Sequence, residues 1–173
     1  MLEEISIYSI IDLAMEMAIG LATVHWQAQL DGMDMEFVLG SAASGDDDRP
    51  AGYADLSQPP HDVDVVNFKR RPIHMWILDF DKARKFEMSE KDVKTKLVPA
   101  FLGNDPYYPR PHMDEELWNC FRVAYLKASI AILRARGVEN KRVLNLPGRF
   151  MEEVMKVEKA NEGWNAEENI IFG

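Results

Sequence analysis

The sequence is poor in cysteine, with Cys120 the single one among 173 residues. One cysteine cannot form an internal disulfide, and no cysteine or histidine residues stand at the close spacing of a structural zinc site. We therefore predict that the protein binds no zinc and is not a zinc finger. A chain without a disulfide framework is typical of a reducing compartment, so we expect an intracellular, cytoplasmic protein.

The sequence also lacks a long apolar run and a basic N-terminal region. Its first apolar stretch is interrupted by Asp12 and Glu16, so we expect neither a signal peptide nor a membrane span. Basic residues are outnumbered, 20 against 29 acidic ones, which gives a formal net charge of −9. Because such a field repels phosphate backbones and anionic lipid, neither nucleic acid nor a membrane surface is expected as a partner.

Glycine-rich phosphate-binding loops are missing as well. The chain contains no Gly-x-Gly-x-x-Gly and no Gly-Lys-Ser sequence. These loops cradle nucleotide phosphates with backbone amides. The sequence therefore argues against a complete ATP site.

What the sequence does contain is enough apolar material for one core. Hydrophobic residues make up 47% and charged residues 28% of the chain. At this length and composition we predict a single domain over residues 1–173. Residues 41–72 are rich in Gly, Ala, Ser, Asp and Pro without periodicity, which predicts an exposed insertion loop, and residues 162–173 are predicted to form a tail.

Two stretches carry apolar residues at the three-and-four spacing of a helix with one buried face. The first helix is predicted to end near His25-Trp26, and its core face is Ile10, Ala14, Met17, Leu21 and Val24. The second runs from an N-cap at Asp114 to Arg136 before Gly137. Its predicted core face is Leu117, Phe121, Ala124, Ala128 and Ala131.

Shorter elements complete the prediction. A helical turn or two is expected after the capping residue Ser89, and a third helix after Pro147-Gly148. Met35 to Leu39 and Ile73 to Leu78 read as two strands that pair with each other. The second strand is apolar except for His74, so we expect it to be covered on both faces. The predicted fold class is α+β, mainly helical, with helices packed around a small β-hairpin.

Three carboxylates stand at the ends of these strands. Asp79 follows the second strand, Glu36 opens the first, and Asp31 lies five residues earlier. On a hairpin the three could converge, and converging carboxylates hold magnesium in phosphoryl-transfer enzymes. The alternatives are a turn-forming aspartate at position 79 and solvated loop carboxylates at the other two. His25 is interpreted as a core histidine at a helix end.

The loop from Gly103 to Pro111 is stiff, because its three prolines restrict the backbone. Tyr107, Tyr108 and Arg110 on this segment could form a binding rim with stacking and anion-pairing groups. The alternative is a structural brace whose tyrosines pack on the helices.

The strings "IGLATVHW", "LDGMDMEFVLG" and "ILDFDKA" occur in this order. Together they resemble the second lobe of aminoglycoside phosphotransferases and their kinase-like relatives, over roughly residues 10–85. The resemblance implies the C-lobe of the kinase-like fold and a magnesium ion. It also implies that Asp79 and Glu36 are metal ligands and that Asp31 is the catalytic base.

The sequence departs from that family at two loop positions and in length. Gln29 stands where the family has histidine, and Glu36 stands where it has asparagine. Only nine residues precede the first helix, which leaves no room for the N-lobe that covers ATP. ATP binding is therefore not expected of this chain alone.

Over nearly its whole length the chain is similar to a fungal domain family of unknown function that is often labelled "zinc finger protein". The strings that carry this similarity are "LATVHWQAQLDGMDMEFVLGS", "HMWILDFDKAR" and "KLVPAFLGNDPYYPRP". The similarity implies a domain type and no established activity. The label disagrees with the missing zinc ligands.

These observations leave the function open between three classes. The first is a remnant of a kinase-like C-lobe that binds a divalent metal or serves as a scaffold, its site completed by a protein partner. The second is a non-catalytic protein-interaction module. The third is a small-molecule biosynthetic enzyme of unassigned chemistry. The residues alone do not decide whether the protein is an enzyme.

Overall fold

The computed structural model describes residues 10–41, 73–104 and 108–171. For residues 41, 73–74 and 161–171 it describes the backbone alone. The predicted insertion loop therefore lies, from residue 42 onwards, outside the described residues. So does Tyr107 of the predicted binding rim.

Contacts between Cα atoms divide the chain into two units. One unit consists of Met1–Ile7 and Val38–Trp76, and the other of Tyr8–Phe37 and Ile77–Gly173. Nearly all described residues belong to the second unit. Asp31, Asp34, Asp79 and Asp81 all belong to that unit.

Helices dominate the described residues. In chain order they are α1 (Ile10–Ala22), π1 (Thr23–Ala28), α2 (Glu90–Asp92), π2 (Val93–Leu97), α3 (Val98–Gly103), α4 (Glu115–Ala135), α5 (Lys141–Leu144) and α6 (Leu146–Ile171). Two strands, β1 (Glu36–Ser41) and β2 (Ile73–Leu78), pair in a two-stranded antiparallel sheet. The predicted α+β, mainly helical class and the predicted pairing of the two strands are confirmed. No described helix is long and apolar enough to cross a membrane.

Helix α1 packs on α4 through small side chains. Ala14, Ala18 and Leu21 are buried, whereas Ile10 is 68% exposed. Alanines on the contact face let two helix backbones approach closely, which a larger side chain would prevent. The predicted helix is confirmed, but its predicted core face was wrong at Ile10. The helix then widens into the π-helical turn π1, which carries His25 and Trp26 into the core.

Helix α4 begins and ends where the sequence predicted. The Asp114 side chain accepts a hydrogen bond from the Leu117 amide at 2.9 Å, which satisfies a free N–H of the first turn. After the last turn Gly137 has a φ of +77°, the left-handed conformation that ends many helices. Both end signals are local, so the sequence alone could reveal them.

The buried face of α4 was predicted less well. Its buried residues are Trp118, Phe121, Tyr125, Ser129 and Leu133. Of the predicted face, Phe121 is fully buried and Ala131 is exposed. Moving the stripe by one residue rotates it by about 100°. The aromatic side chains occupy the core because burying each of them removes more apolar surface from water than burying an alanine does.

The second strand is not covered on both faces, as its composition had suggested. Trp76 is 49% and Leu78 is 48% exposed, whereas Ile77 between them is half-buried. Side chains of a strand alternate between faces, and a sheet of two strands packed on one side leaves the other side open. The prediction was wrong because an apolar run does not reveal what covers it.

The remaining helices follow their local signals. Ser89 caps α2 by accepting a hydrogen bond from the Asp92 amide at 3.2 Å, as predicted. Helix α6 starts at Leu146, so Pro147 occupies a first-turn position where its missing N–H costs nothing. The backbone of α6 is helical to Ile171, within the segment that was predicted to be a tail.

Candidate functional site

The loop after π1 is built on an unusual number of left-handed residues. Gln29, Gly32 and Asp34 have φ values of 57°, 68° and 62°, and Asp79 beyond β2 has 58°. Glycine adopts this conformation freely and aspartate tolerates it, whereas in glutamine it is strained because Cβ comes close to the following carbonyl oxygen. Such backbone persists only where surrounding contacts hold it, and it is concentrated at functional sites. These four residues mark the candidate site.

Hydrogen bonds from the end of α4 hold this loop in place. The Arg136 guanidinium, at the end of α4, donates to the Trp26 carbonyl and, at 3.0 Å, to the Gln29 side-chain oxygen. A cation at the carbonyl end of a helix is electrostatically favourable. Arg136 therefore secures π1 and the strained Gln29 together. Glutamine here has a structural role that the sequence did not indicate.

Asp31 joins the loop to the segment that follows the Asp79 turn. It is only 5% exposed, and its Oδ1 accepts hydrogen bonds from the Arg84 amide at 2.8 Å and the Met33 amide at 3.2 Å. The Asp31 amide in turn donates to the Arg84 carbonyl at 2.9 Å. One carboxylate oxygen of Asp31, the predicted catalytic base, is therefore occupied by hydrogen bonds from two backbone amides.

The same pairing extends over the neighbouring residues. Leu30 and Lys85 form an isolated antiparallel bridge, and the Phe86 amide donates to the Gln29 carbonyl at 3.3 Å. The loop and the segment after the Asp79 turn are therefore held in a single register. This pairing brings Asp34 and Asp79, which are 45 positions apart in sequence, into one surface.

Asn104 clamps the loop from the other side. Its Nδ2 donates to the Gly32 carbonyl and its Oδ1 accepts from the Asp34 amide, each at 2.6 Å. The side chain is only 5% exposed. A side-chain amide supplies a donor and an acceptor side by side, so it can bind a carbonyl and an N–H at once. Asn104 lies within the string "KLVPAFLGNDPYYPRP". The residues around it in the sequence do not indicate that it binds the loop at Gly32 and Asp34.

Asn104→Ala is expected to lower the free energy of unfolding by about 1–3 kcal/mol, because it leaves a buried carbonyl and a backbone amide without partners. Urea unfolding measures the change. The matched control is Gln27→Ala, at an exposed side-chain amide, which should stay within about 0.5 kcal/mol of the parent protein. Equal effects of the two substitutions would contradict the clamp.

Above the clamped loop three carboxylates crowd together. A hydrogen bond with the Asp81 side chain and the charges of Asp81 and Asp34 raise the pKa of Asp79. Asp79 is fully exposed, so its neighbours and not burial are the main cause. A bound cation would relieve the repulsion between these carboxylates.

Lys82 partly balances this charge. Its ammonium pairs with the Asp34 carboxylate, and this hydrogen bond is the main reason that the pKa of Lys82 is raised. Both side chains are about half exposed or more, at 63% and 48%, so the pair contributes little to stability. What it does is orient Asp34 beside the Asp79 turn.

The three carboxylates predicted to form the site, Asp31, Glu36 and Asp79, do not converge. Glu36 is an exposed residue at the start of β1, and Asp31 is buried within the loop after π1. Within the described parts of the chain, no three His, Cys, Asp or Glu side chains are placed so that they could hold one metal ion. Asp79 is accompanied instead by Asp34 and Asp81. Asp81 follows Asp79 by two residues, whereas Asp34 stands 45 positions earlier, and only the fold brings Asp34 to this turn.

The predicted binding rim is placed inside the protein where it is described. Tyr108 is 2% exposed and stacks on Phe101 with 4.5 Å between ring centroids. Arg110 is 6% exposed, lies 4.8 Å from the same ring and donates to the Phe101 and Leu102 carbonyls. The fold thus builds no open rim at these two residues. They have the positions that a structural brace requires.

His25 is a core residue, as its position at a helix end suggested. It is completely buried, and its Nδ1 lies 2.8 Å from the Tyr125 hydroxyl, to which Trp26 Nε1 also donates at 2.9 Å. Burial lowers the pKa of His25 to about 3, against a smaller opposing effect of the Asp31 backbone. The imidazole is therefore neutral at physiological pH and serves packing.

Comparison with known proteins shows a similarity over part of the chain. No curated protein and no solved structure matches the chain significantly. Residues 75–137 contain one histidine, His112, and one cysteine, Cys120, whereas a structural zinc site takes four ligands, mostly cysteine and histidine. These residues do not fit a zinc centre. That stretch, which includes the Asp79 turn and all of α4, is nevertheless where the chain is similar to a family of unknown function whose model is described as "zinc finger protein".

Proposed function

We propose that the surface formed by residues 31–34 and 79–82 is the remnant of a kinase-like phosphate site and binds a divalent cation, magnesium, through Asp79. The observation that carries the proposal is the crowding of Asp79. Its backbone is held at a φ of 58°, and the Asp81 and Asp34 carboxylates raise its pKa. A bound cation would remove the repulsion that this arrangement creates.

Magnesium suits such a site chemically. It prefers oxygen ligands, keeps several waters and is commonly bound by one or two carboxylates together with a phosphate. Asp79 and Asp81 would supply the carboxylates, and water or an anionic ligand the remaining positions. The resemblance to kinase-like C-lobes assigns the metal to the same aspartate.

Catalysis by this chain alone is not proposed. Asp31, the base implied by the resemblance, has its Oδ1 committed to the Arg84 and Met33 amides. A general base needs a carboxylate oxygen within reach of the attacking group. The proposed role is therefore binding, with a protein partner supplying whatever covers the phosphate.

Asp79→Asn tests the metal. Asparagine tolerates the left-handed backbone and keeps the shape of the side chain, but it is a weaker ligand without charge. In an NMR titration with MgCl₂ at constant ionic strength, the amides of residues 79–82 should shift in the parent protein and stay in place in this variant. Glu139→Gln, an equal loss of charge at an exposed residue after α4, should titrate like the parent. Shifts that persist in the Asp79 variant would refute the site.

The same substitution has an expected effect on stability. Because the folded-state pKa of Asp79 is raised, its ionised form weighs against folding. This cost is absent below the unfolded-state pKa and is fully present above the folded-state pKa. Asp79→Asn should therefore raise the Tm at pH 7 and leave it unchanged at a pH below both values. A lower Tm at pH 7 would mean that Asp79 stabilises the fold instead.

A non-catalytic interaction module is the second candidate. The observation that favours it is the exposure of Leu78 and Phe80 on either side of Asp79, at 48% and 42%. Exposed apolar side chains around a rigid turn are typical of a contact surface for another protein. Absence of any magnesium-dependent shift in the parent protein would favour this candidate.

A further inference from the structure

A long apolar groove lies between α1 and α4, on a part of the molecule separate from the Asp79 turn. It has a volume of about 910 Å³. Helix α1 lines it with Asp12, Met15, Glu16 and Ile19, and α4 with Asn119, Cys120, Val123, Ala124, Lys127, Ala128 and Ala131. None of these residues takes part in the proposed metal site.

The shape of this groove follows from the sizes of the side chains that line it. Three alanines of α4, Ala124, Ala128 and Ala131, leave hollows along its wall. Ile19 and Val123 project beside them and are 50% and 43% exposed. Hollows next to projecting aliphatic side chains are the two halves of knobs-into-holes packing. The surface therefore carries both the holes and the knobs that would fill them.

The two walls carry opposite charges. Two carboxylates, Asp12 and Glu16, lie on the α1 wall, and Lys127 lies on the α4 wall. A partner that covers the groove must present a cation above α1 and an anion above α4. A second copy of this chain does so when it is turned about a two-fold axis along the groove. That rotation places each α1 over the α4 of the other copy.

We infer that this groove is a homodimer interface. In the symmetric pair each Glu16 faces the Lys127 of the other copy, and Ile19 and Val123 of each copy fill hollows of its partner. A two-fold interface needs such a self-complementary surface, because every contact occurs twice. The apolar floor supplies the attraction, and the charged walls select the orientation.

Two physical terms limit the strength of the dimer. The net charge of −9 on each copy opposes association. At physiological salt this repulsion is screened beyond about 8 Å, whereas paired charges across the interface lie closer. Helix α1 has 13 residues and is therefore about 20 Å long, which places the interface at the small end of stable ones. We expect a dimer with a micromolar dissociation constant.

Charge reversal at the two walls gives a direct test. Sedimentation equilibrium of the full chain in 0.15 M salt, about the physiological ionic strength, should show a concentration-dependent dimer. Glu16→Lys and Lys127→Glu should each weaken the dimer at least tenfold, because like charges then meet twice per interface. An equimolar mixture of the two variants should recover a dimer, since the heterodimer restores opposite charges at both pairs.

Recovery in the mixture also shows that both variants are folded. Lys141→Glu, an equal charge change on exposed α5, should dimerise like the parent protein. A parent chain that remains monomeric at millimolar concentration would overturn the inference. So would a dimer that both wall variants leave intact, or a groove that takes up an unrelated amphipathic helix while the chain stays monomeric.

Discussion

Phe121→Ala is expected to lower the free energy of unfolding by about 3–5 kcal/mol. Phe121 is completely buried, and its ring centroid lies 5.9 Å from those of Trp118 and Tyr108 and 6.1 Å from that of Phe101. Removing it deletes apolar contacts and leaves a cavity between rigid rings that cannot collapse into it. Urea or guanidinium unfolding monitored by circular dichroism measures the loss.

Met113→Ala, just before the same helix, is the matched control. Met113 is 71% exposed and does not line the groove, so its truncation should change the free energy of unfolding by no more than about 0.5 kcal/mol. A loss below about 1 kcal/mol in the Phe121 variant would show that this part of α4 does not form the core.

Glu158→Gln should have a similarly large effect, about 3–5 kcal/mol, because it breaks a buried ion pair from one side. Glu158 Oε1 lies 3.3 Å from the Arg110 guanidinium, and its Oε2 lies 2.6 Å from His112 Nδ1. Glutamine keeps the volume but not the charge, so the Arg110 cation stays buried beneath α6 without its anion. The measurement is again the free energy of unfolding.

Glu152→Gln on the same helix is the control for this pair. Glu152 binds Arg149 at 2.8 Å, but both side chains are more than half exposed, at 64% and 56%. Breaking a pair of this kind should cost less than about 1 kcal/mol. If the two glutamine variants lose equal stability, the Arg110 pair is not the buried brace that its geometry indicates.

The elements of the fold could be predicted because their signals are local. The N-cap Asp114, the stop at Gly137 and the cap at Ser89 each act through hydrogen bonds or dihedral angles within a few residues. The strand over Ile73–Leu78 was recognised from its composition and its limits. What the strand faces, by contrast, depends on elements far away in the chain.

The buried face of α4 illustrates the same limit. Apolar residues occur on more than one side of this helix, so periodicity allows several stripes. Packing against α1 and α6 chose the stripe with Trp118 and Tyr125, since it buries the most surface. The stripe of Ala128 and Ala131 was left to line the groove.

The candidate site shows the difference most clearly. Asp79 was predicted as a site residue because it follows a strand and because this segment resembles the metal-binding strand of kinase-like proteins. Asp34 was not recognised as its neighbour, because it reaches Asp79 through the pairing of residues 29–31 with 84–86. Asn104, which holds the loop from the end of α3, was not recognised either. Such meetings depend on chain reversals that no local pattern encodes.

The sequence alone was enough to predict α1, α4, the start of α6, the paired strands and a carboxylate at a strand end, since each rests on short-range hydrogen bonding and hydrophobic periodicity. Only the tertiary structure showed that Asp31 binds backbone amides, that Tyr108 and Arg110 are buried, and that Asp34 lies close enough to Asp79 to raise its pKa. The physical reason is that burial and charge proximity are properties of pairs of residues far apart in the chain. Only the folded chain brings those pairs together.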